Sequence, residues 1–193
     1  MKQSFIRVIF PILLLCPWAT AQQNSRVIFL VRNAEAPAAG NALDPAGQQR
    51  ALCLLQTLKD AGITQIYVNE SQRTQQTAES LAKALKLTPS VVPSLQVATF
   101  VRNLLCGGAG NALVVGDKDS LATIIARLHA GNIKAIAENE YNRMFLVTVT
   151  EGAATPVATL RYCDCGAPPA PAPPAPKPGP AKPPVKKAPA KKS

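Results

Sequence analysis

Histidine is almost absent from this chain, since His129 is the only one among 193 residues. It lies near the end of a predicted helix, just before Gly131, and away from the strand ends, so we interpret it as a surface or helix-terminal residue. No group of His, Cys, Asp and Glu has the spacing of a metal site, and the glycine-rich stretch 107–110 lacks the Lys-Ser/Thr of a phosphate-binding loop. We therefore expect neither a metal ion nor another cofactor.

Long apolar runs are also missing. The run at residues 8–16 is short and is interrupted by Pro11, so it does not fit a membrane-spanning helix of the mature protein. It follows a basic start and precedes Ala19-Thr20-Ala21, which has the small-x-small pattern of a signal cleavage site. We predict that residues 1–21 are a signal peptide and that the protein is exported, either periplasmic or secreted. An uncleaved membrane anchor is the minor alternative.

The C-terminal segment lacks acidic and aromatic residues altogether. From Gly166 onward the chain is almost entirely Pro, Ala and Lys, with Val185 as its only larger apolar residue. Such a composition cannot bury a core, so residues 166–193 are predicted to form a disordered basic tail. Six of the 21 Lys and Arg residues lie in this tail and two in the signal peptide, which leaves 13 against 11 Asp and Glu residues in the domain.

This uneven distribution of charge decides how the formal net charge of +10 is interpreted. The basicity is concentrated in a tail of an exported protein, so we do not expect a nucleic-acid partner. Anionic envelope polymers or lipid headgroups are the expected partners of the tail. The alternative, that the tail is a solubilising spacer without a specific partner, stays equally open.

The remaining residues, 22–165, are long enough for one compact domain. Buried strands are predicted at residues 26–31, 65–69 and 112–115, and helices are predicted to begin near residues 47, 74 and 121. Because strands and helices alternate, we predict an α/β fold: a three-layer α/β/α sandwich with a largely parallel sheet.

Two further segments complete the predicted domain. Residues 143–150 and 155–162 are predicted to form a terminal hairpin through Glu151-Gly152. Pro89 and Pro93 predict an irregular stretch up to Gly110, with room for one or two helical turns.

The first strand ends in Arg32-Asn33-Ala34-Glu35. This run resembles the Arg-His-Gly or Arg-His-Ala signature, often followed by Glu, of the histidine phosphatase superfamily, the phosphoglycerate mutase-like proteins. The resemblance implies a phosphoglycerate mutase-like fold. It also shows one departure at once, because Asn33 stands where the family has its first histidine.

Four later blocks resemble the family in the same order. Residues 43–51 resemble the Leu-Thr-Pro-x-Gly-x-x-Gln-Ala approach to the first helix, and residues 67–79 resemble the Ser-x-x-x-Arg-x-x-Gln-Thr-Ala block. Residues 111–120 are similar to the strand that ends in Gly-His-Ser, with Asp117 at the histidine position, and residues 141–148 are similar to the last long strand. The resemblance covers roughly residues 26–162.

The resemblance implies a set of site residues at the carboxyl ends of the strands. In the family, two arginines and two histidines surround one phosphoryl group, and the first histidine becomes phosphorylated. Carried over, Arg32 and Arg73 are the phosphate ligands, and Asn33 and Asp117 occupy the histidine positions. Glu35 is the nearest candidate for the acid that protonates the leaving group, or it holds an arginine in place.

Neither replacement supports phosphohistidine chemistry. The amide of Asn33 can donate a hydrogen bond to phosphate, but its nitrogen lone pair is delocalised and cannot attack phosphorus. An ionised Asp117 would repel a phosphate a few Å away by about 1–4 kcal/mol, depending on the effective dielectric. We therefore expect no catalytic residue. Two states of the pocket remain open: an anion pocket, or a cluster closed by an ion pair from Asp117 to Arg32 or Arg73.

Three functions follow from this interpretation. The first is a pseudophosphatase that binds a phosphorylated or otherwise anionic small molecule. The second is an active phosphatase with a non-standard nucleophile such as Asp117. The third is an envelope interaction protein that acts through its basic tail.

Four cysteines survive removal of the signal peptide, namely Cys53, Cys106, Cys163 and Cys165. In an oxidising compartment they allow three disulfide pairings. We favour a disulfide that ties the end of the last strand to Cys106.

Overall fold

The computed structural model describes residues 25–163, apart from Ala109 and Glu151. The predicted signal peptide (1–21), the predicted tail (166–193) and Cys165 lie outside these residues. Within the described part of the chain, no helix has the length and apolar composition that a membrane crossing needs.

One mixed sheet forms the centre of the described domain. Its seven strands are β1 (Ser25–Arg32), β2 (Ile63–Val68), β3 (Ser90–Val91), β4 (Asn111–Gly116), β5 (Arg143–Thr150), β6 (Ala153–Ala154) and β7 (Ala158–Arg161). The order is β3-β2-β4-β1-β5-β6, and β7 also pairs with β5. The strands β1 to β4 are parallel, as predicted. The strand β5 runs antiparallel to β1, β6 and β7, so that the C-terminal part of the sheet is antiparallel.

Helices cover both faces of the sheet, which confirms the three-layer α/β/α architecture. Their bounds are α1 (Pro45–Leu58), α2 (Gln72–Leu85), α3 (Val97–Cys106) and α4 (Lys118–Arg127). Successive strand residues point to opposite faces. In β1, Val31 therefore packs with α1 and α2, and Leu30 packs with α3 and α4.

Two predicted segments differ from the structure. The stretch up to Gly110 contains the ten-residue helix α3, almost three turns, because Phe100, Val101 and Leu104 place one apolar face on the sheet. The last strand is split into β6 and β7. The interruption contains Pro156, which has no N–H for the sheet ladder, and Val157 donates its N–H to Ala130 instead.

The favoured disulfide is wrong for Cys163, and Cys165, the other cysteine after the last strand, lies outside the described residues. Cys163 bonds to Cys53 on α1, whereas Cys106 is exposed and has no disulfide partner among the described residues. The layers explain the difference: Cys53 and Cys163 both pack against the core on the α1–α2 face, and Cys106 ends α3 on the opposite face.

Candidate functional site

The carboxyl ends of β1 and β4 bring the predicted histidine positions together. The backbone N–H of Asn33 donates to the carbonyl of Gly116, at 2.8 Å, so Asn33 and Asp117 follow neighbouring strand ends. The next N–H, of Ala34, donates to Oγ1 of Thr77 in α2 at 2.9 Å. Thr77 lies one helical turn after Arg73, so the start of α2 reaches the same edge of the sheet.

Asn33 is buried, with 6% of its surface exposed, and its side-chain Nδ2 donates to the carbonyl of Ala34 at 3.1 Å. The structure supplies no imidazole nearby. His129 is exposed, as predicted, and follows the C-terminal end of α4. Since α4 starts beside Asp117 and rises 1.5 Å per residue, His129 lies roughly 15 Å from this edge.

Asp117 caps the N-terminus of α4. Its Oδ1 accepts hydrogen bonds from the backbone N–H groups of Asp119 at 3.1 Å and Ser120 at 2.8 Å. Burial raises the pKa of Asp117, but the hydrogen bonds from Ser120 and Asp119 outweigh burial and hold the pKa below its usual value. The carboxylate is therefore ionised and already occupies the helix N-terminus, where an anion would otherwise bind.

The proposed ion pair of Asp117 is wrong. Among the described residues, no salt bridge joins Asp117 to Arg32 or Arg73. The hydrogen bonds of the helix cap explain this, because they turn the carboxylate toward α4. The remaining oxygen, Oδ2, faces Nδ2 of Asn69 at 3.5 Å.

Arg32 is held by a loop instead. Its Nη1 donates to the carbonyls of Ala137 at 2.8 Å, Glu138 at 3.0 Å and Glu140 at 3.2 Å. The guanidinium also lies over the ring of Tyr141, 4.2 Å from its centroid. Only 10% of the Arg32 side chain is exposed, so most of this predicted phosphate ligand is occupied by the chain itself.

A carboxylate of the same loop approaches the cations at this edge. Glu138 places Oε2 at 3.6 Å from Nη2 of Arg32 and Oε1 at 3.3 Å from Nζ of Lys118. Because 81% of the Glu138 side chain is exposed, each of these pairs contributes little stability. Glu138 thus lies between two cations as an anionic ligand would.

Arg73 has the opposite environment. It is exposed in the first turn of α2, and its guanidinium forms no hydrogen bond or ion pair with the described residues. The two predicted phosphate ligands therefore differ: Arg73 is available to a ligand, and Arg32 becomes available only if the loop releases it.

Glu35 holds an arginine, which is one of its two predicted roles. The partner is Arg50 of α1, whose Nε lies 2.8 Å from both carboxylate oxygens and whose Nη2 lies 2.6 Å from Oε1. Gly47 allows this approach, because a Cβ at that position would lie 2.1 Å from the carbonyl oxygen of Glu35. The side chain of Glu35 is thus engaged by α1 rather than by Arg32 or Arg73.

A small cavity lies near the start of α4, and Asp117 itself does not line it. This cavity of about 30 Å³ lies near Asn69, Gly116 and Ser120 and is otherwise lined mainly by apolar side chains. This volume suits one or two water-sized groups rather than a phosphate ester. Among the described residues, no group of three or more His, Cys, Asp or Glu side chains could hold a metal ion.

The sequence did not predict the loop that holds Arg32. Residues 134–142 have no helical or strand periodicity, and Tyr141 was interpreted only as the start of the last long strand. Lys118, Arg50 and Glu138 also went unnoticed. A sequence signal exists only for Arg50, which lies in the block 43–51 that resembles the family and packs beside Glu35.

Comparison with known proteins gives one family match. The family model of the histidine phosphatase superfamily (branch 1) matches residues 29–99, which contain Arg32, Asn33 and Arg73. No curated protein sequence gives a significant match.

Solved structures share the fold at low identity. The protein histidine phosphatase SixA complexed with tungstate is 20% identical with a TM-score of 0.58, over 70% of this chain and 96% of that chain. The alpha-ribazole phosphatase from Shigella flexneri is 18% identical with a TM-score of 0.57, over 70% and 96%. A mycobacterial glucosyl-3-phosphoglycerate phosphatase is 12% identical with a TM-score of 0.55, over 72% and 98%. The family-model match over residues 29–99 confirms the predicted resemblance to the histidine phosphatase superfamily, and the solved structures confirm the fold.

Proposed function

We propose that this protein is an exported histidine phosphatase-like protein that binds a phosphorylated or otherwise anionic ligand without phosphohistidine catalysis. The observation that carries the proposal is Asn33. A buried amide, hydrogen-bonded to the carbonyl of Ala34, stands where the family has its nucleophilic histidine.

Among the described residues around Asn33, we find no substitute nucleophile. The sole histidine of the chain lies at the far end of α4. The Asp117 carboxylate is engaged by two backbone N–H groups, and acyl-phosphate chemistry at an aspartate ordinarily needs a metal ion. These features support binding over an active phosphatase with a non-standard nucleophile.

Anion binding is supported by the arginines of this edge. Arg73 presents a planar fork of donors suited to two phosphate oxygens, and it is not engaged by the described residues. The related fold of the SixA phosphatase takes up tungstate, a phosphate-like anion. Since Arg32 has to leave three carbonyls before it can join, and Asp117 is negative, we expect weaker binding than two free arginines would give.

Two measurements on the purified mature protein test this proposal. We expect no hydrolysis of an aryl phosphate above that of a matched Arg32→Ala sample. Tungstate should shift the backbone amide resonances of residues 71–75 and 117–120 in a ¹⁵N NMR titration. Arg73→Ala should remove these shifts, and Arg127→Ala, an exposed arginine at the other end of α4, should keep them.

Either of two results would refute the proposal. Turnover by the wild type that disappears in Asp117→Asn would identify an active phosphatase. Tungstate shifts that persist in Arg73→Ala would show that this edge is not the anion site.

Export is the compartmental part of the proposal, and the Cys53–Cys163 disulfide supports it, because such bonds persist in oxidising compartments. Cell fractionation should place the protein outside the cytoplasm with residues 1–21 removed.

Deletion of residues 167–193 tests the separate proposal that the tail contacts envelope polymers or lipid headgroups. Unchanged fractionation of the truncated protein would contradict a role of the tail.

A further inference from the structure

A polar cavity of about 450 Å³ lies beside the loop that holds Arg32. It opens between this loop, Arg50 of α1 and Arg161 of β7, at the edge of the sheet where β5 begins. None of the four positions carried over from the family's phosphate site, Arg32, Asn33, Arg73 and Asp117, lines it. The cavity is therefore distinct from the carried-over phosphate site, although it shares Ala137, Glu140 and Tyr141 with the loop that holds Arg32.

Cations dominate the lining of this cavity. Arg50, Lys134 and Arg161 all face it, and Glu140 is the only acidic residue among the lining side chains. Lys134 is exposed, and its ammonium group forms no hydrogen bond or ion pair with any described residue. All three of its donors are thus available to a ligand.

Arg161 is partly engaged. Its Nη1 donates to Oδ1 of Asn142 at 3.0 Å, and its Nη2 lies 3.4 Å from Oε1 of Glu140. The Arg161 side chain is 59% exposed, so its guanidinium remains accessible from the cavity. These contacts orient the guanidinium and leave part of its donor set to a ligand.

The charges around the cavity do not balance. Arg50 is neutralised by Glu35, with which it makes a close ion pair. Glu140 is shared by Arg143 and Arg161, at 3.4 Å from each, so it offsets only one of them. With Lys134, these side chains carry an excess of two positive charges.

Glu140 stays ionised and does not change this balance. Burial raises its pKa, but the hydrogen bond from the N–H of Ala137 and the charge of Arg143 outweigh burial and hold the pKa below its usual value.

The size and chemistry of the cavity fit a dianion with an organic part. About 450 Å³ lies within the range of small-molecule sites, which is roughly 300–1,000 Å³. A phosphate monoester carries a charge of about −1.5 to −2 near pH 7, which matches the excess charge. The ring of Tyr141 and the amide of Asn139 also line the cavity and can contact the group attached to the phosphate.

We propose that this cavity is a second anion site, which binds a small phosphate monoester through Lys134 and Arg161. Its existence does not depend on anion binding at Arg73. The cavity has room beyond the phosphate group, so an ester should bind more tightly than inorganic phosphate.

The test is a ¹⁵N NMR titration of the mature protein with glycerol phosphate and, in parallel, with inorganic phosphate. Glycerol phosphate should shift the amides of residues 134–142 and 161, with tighter binding than phosphate. Lys134→Ala should weaken this binding about tenfold, since a hydrogen bond between charged groups is lost, and Lys134→Arg should restore part of it. Lys59→Ala, an exposed lysine at the end of α1, and Arg73→Ala should leave the binding at residues 134–142 unchanged.

Several results would overturn this second site. No shifts at residues 134–142 in the wild type, or equal affinity of Lys134→Ala and the wild type, would do so. An equal loss in Lys59→Ala would show non-specific attraction to positive charge. If glycerol phosphate shifts residues 71–75 of the wild type and only Arg73→Ala loses binding, the monoester occupies the first site. That result supports the proposed function and refutes the second site.

Discussion

Replacing Arg32 with alanine should destabilise the fold far more than the equivalent change at Arg73. The Arg32 guanidinium makes three hydrogen bonds to loop carbonyls and stacks on Tyr141, with 10% of its side chain exposed. Charged hydrogen bonds contribute about 1.5–3 kcal/mol each, and a cation–π contact about 0.5–2 kcal/mol. Water can reach the carbonyls of the exposed residues Ala137 and Glu138, which offsets much of the loss. We therefore expect Arg32→Ala to lower the free energy of unfolding by about 2–4 kcal/mol.

Arg73→Ala is the matched control. Its guanidinium has no partner among the described residues, so we expect a change within about 0.5 kcal/mol. Urea unfolding followed by circular dichroism measures both variants, and thermal unfolding should show a loss of roughly 10 °C for Arg32→Ala alone. Equal stability of the two variants would refute the reasoning, because it would mean that the loop contacts of Arg32 contribute nothing.

Three further predictions concern other parts of the structure. Cys53→Ala should lower the unfolding free energy of the oxidised protein by about 4–5 kcal/mol, since the disulfide spans 110 residues. Cys106→Ala should not lower it. In a urea titration, a reductant should abolish the difference in stability between Cys53→Ala and the wild type. Asp117→Asn keeps a capping side chain but loses the charge, so we expect a cost of about 0.3–1 kcal/mol at pH 7. Because the folded pKa of Asp117 is lowered, the stabilisation by its carboxylate is complete above pH 3.8, the ordinary pKa, and is lost as the pH falls through the folded pKa. A difference in unfolding free energy between the wild type and Asp117→Asn that grows in acid would contradict this prediction. Asn33→His/Asp117→His should show little or no aryl phosphate turnover, because Arg32 stays held by the loop; turnover comparable to an active phosphatase would contradict that.

The parts of the fold that were predicted correctly are those with a strong local pattern. The continuous apolar run of β1 and the apolar spacing of α1 and α2 each identify a buried face without knowledge of the partner. The full length of helix α3 is not predicted, because Pro89 and Pro93 indicate an irregular stretch there. Its existence depends on Phe100 and Leu104 finding the sheet, which is a tertiary contact.

The sequence predicts where the candidate site residues lie in the fold, but it does not predict which groups their side chains contact. Strand ends and motif spacing correctly placed Asn33 beside the start of α4 and Arg73 at the start of α2. The partner of each side chain depended on segments without periodicity: residues 137–141 for Arg32 and the α4 backbone for Asp117. The disulfide failed for a related reason, because cysteine spacing does not show that Cys106 and Cys163 lie on opposite faces of the sheet.

The proposed loss of phosphohistidine chemistry rests on three physical features of this edge of the sheet, and each concerns a different property. Asn33 removes the nucleophilic lone pair. Asp117 fills the N-terminus of α4 with a negative charge, where the hydrogen-bond donors and dipole would favour an incoming anion. The loop around Arg32 engages the guanidinium that the resemblance assigns to phosphate, so we expect that restoring one or both histidines would not restore the electrostatic part of catalysis. Of the four carried-over positions, Arg73 keeps an exposed guanidinium without a partner among the described residues, and Arg73→Ala is therefore the single substitution that tests binding at this edge.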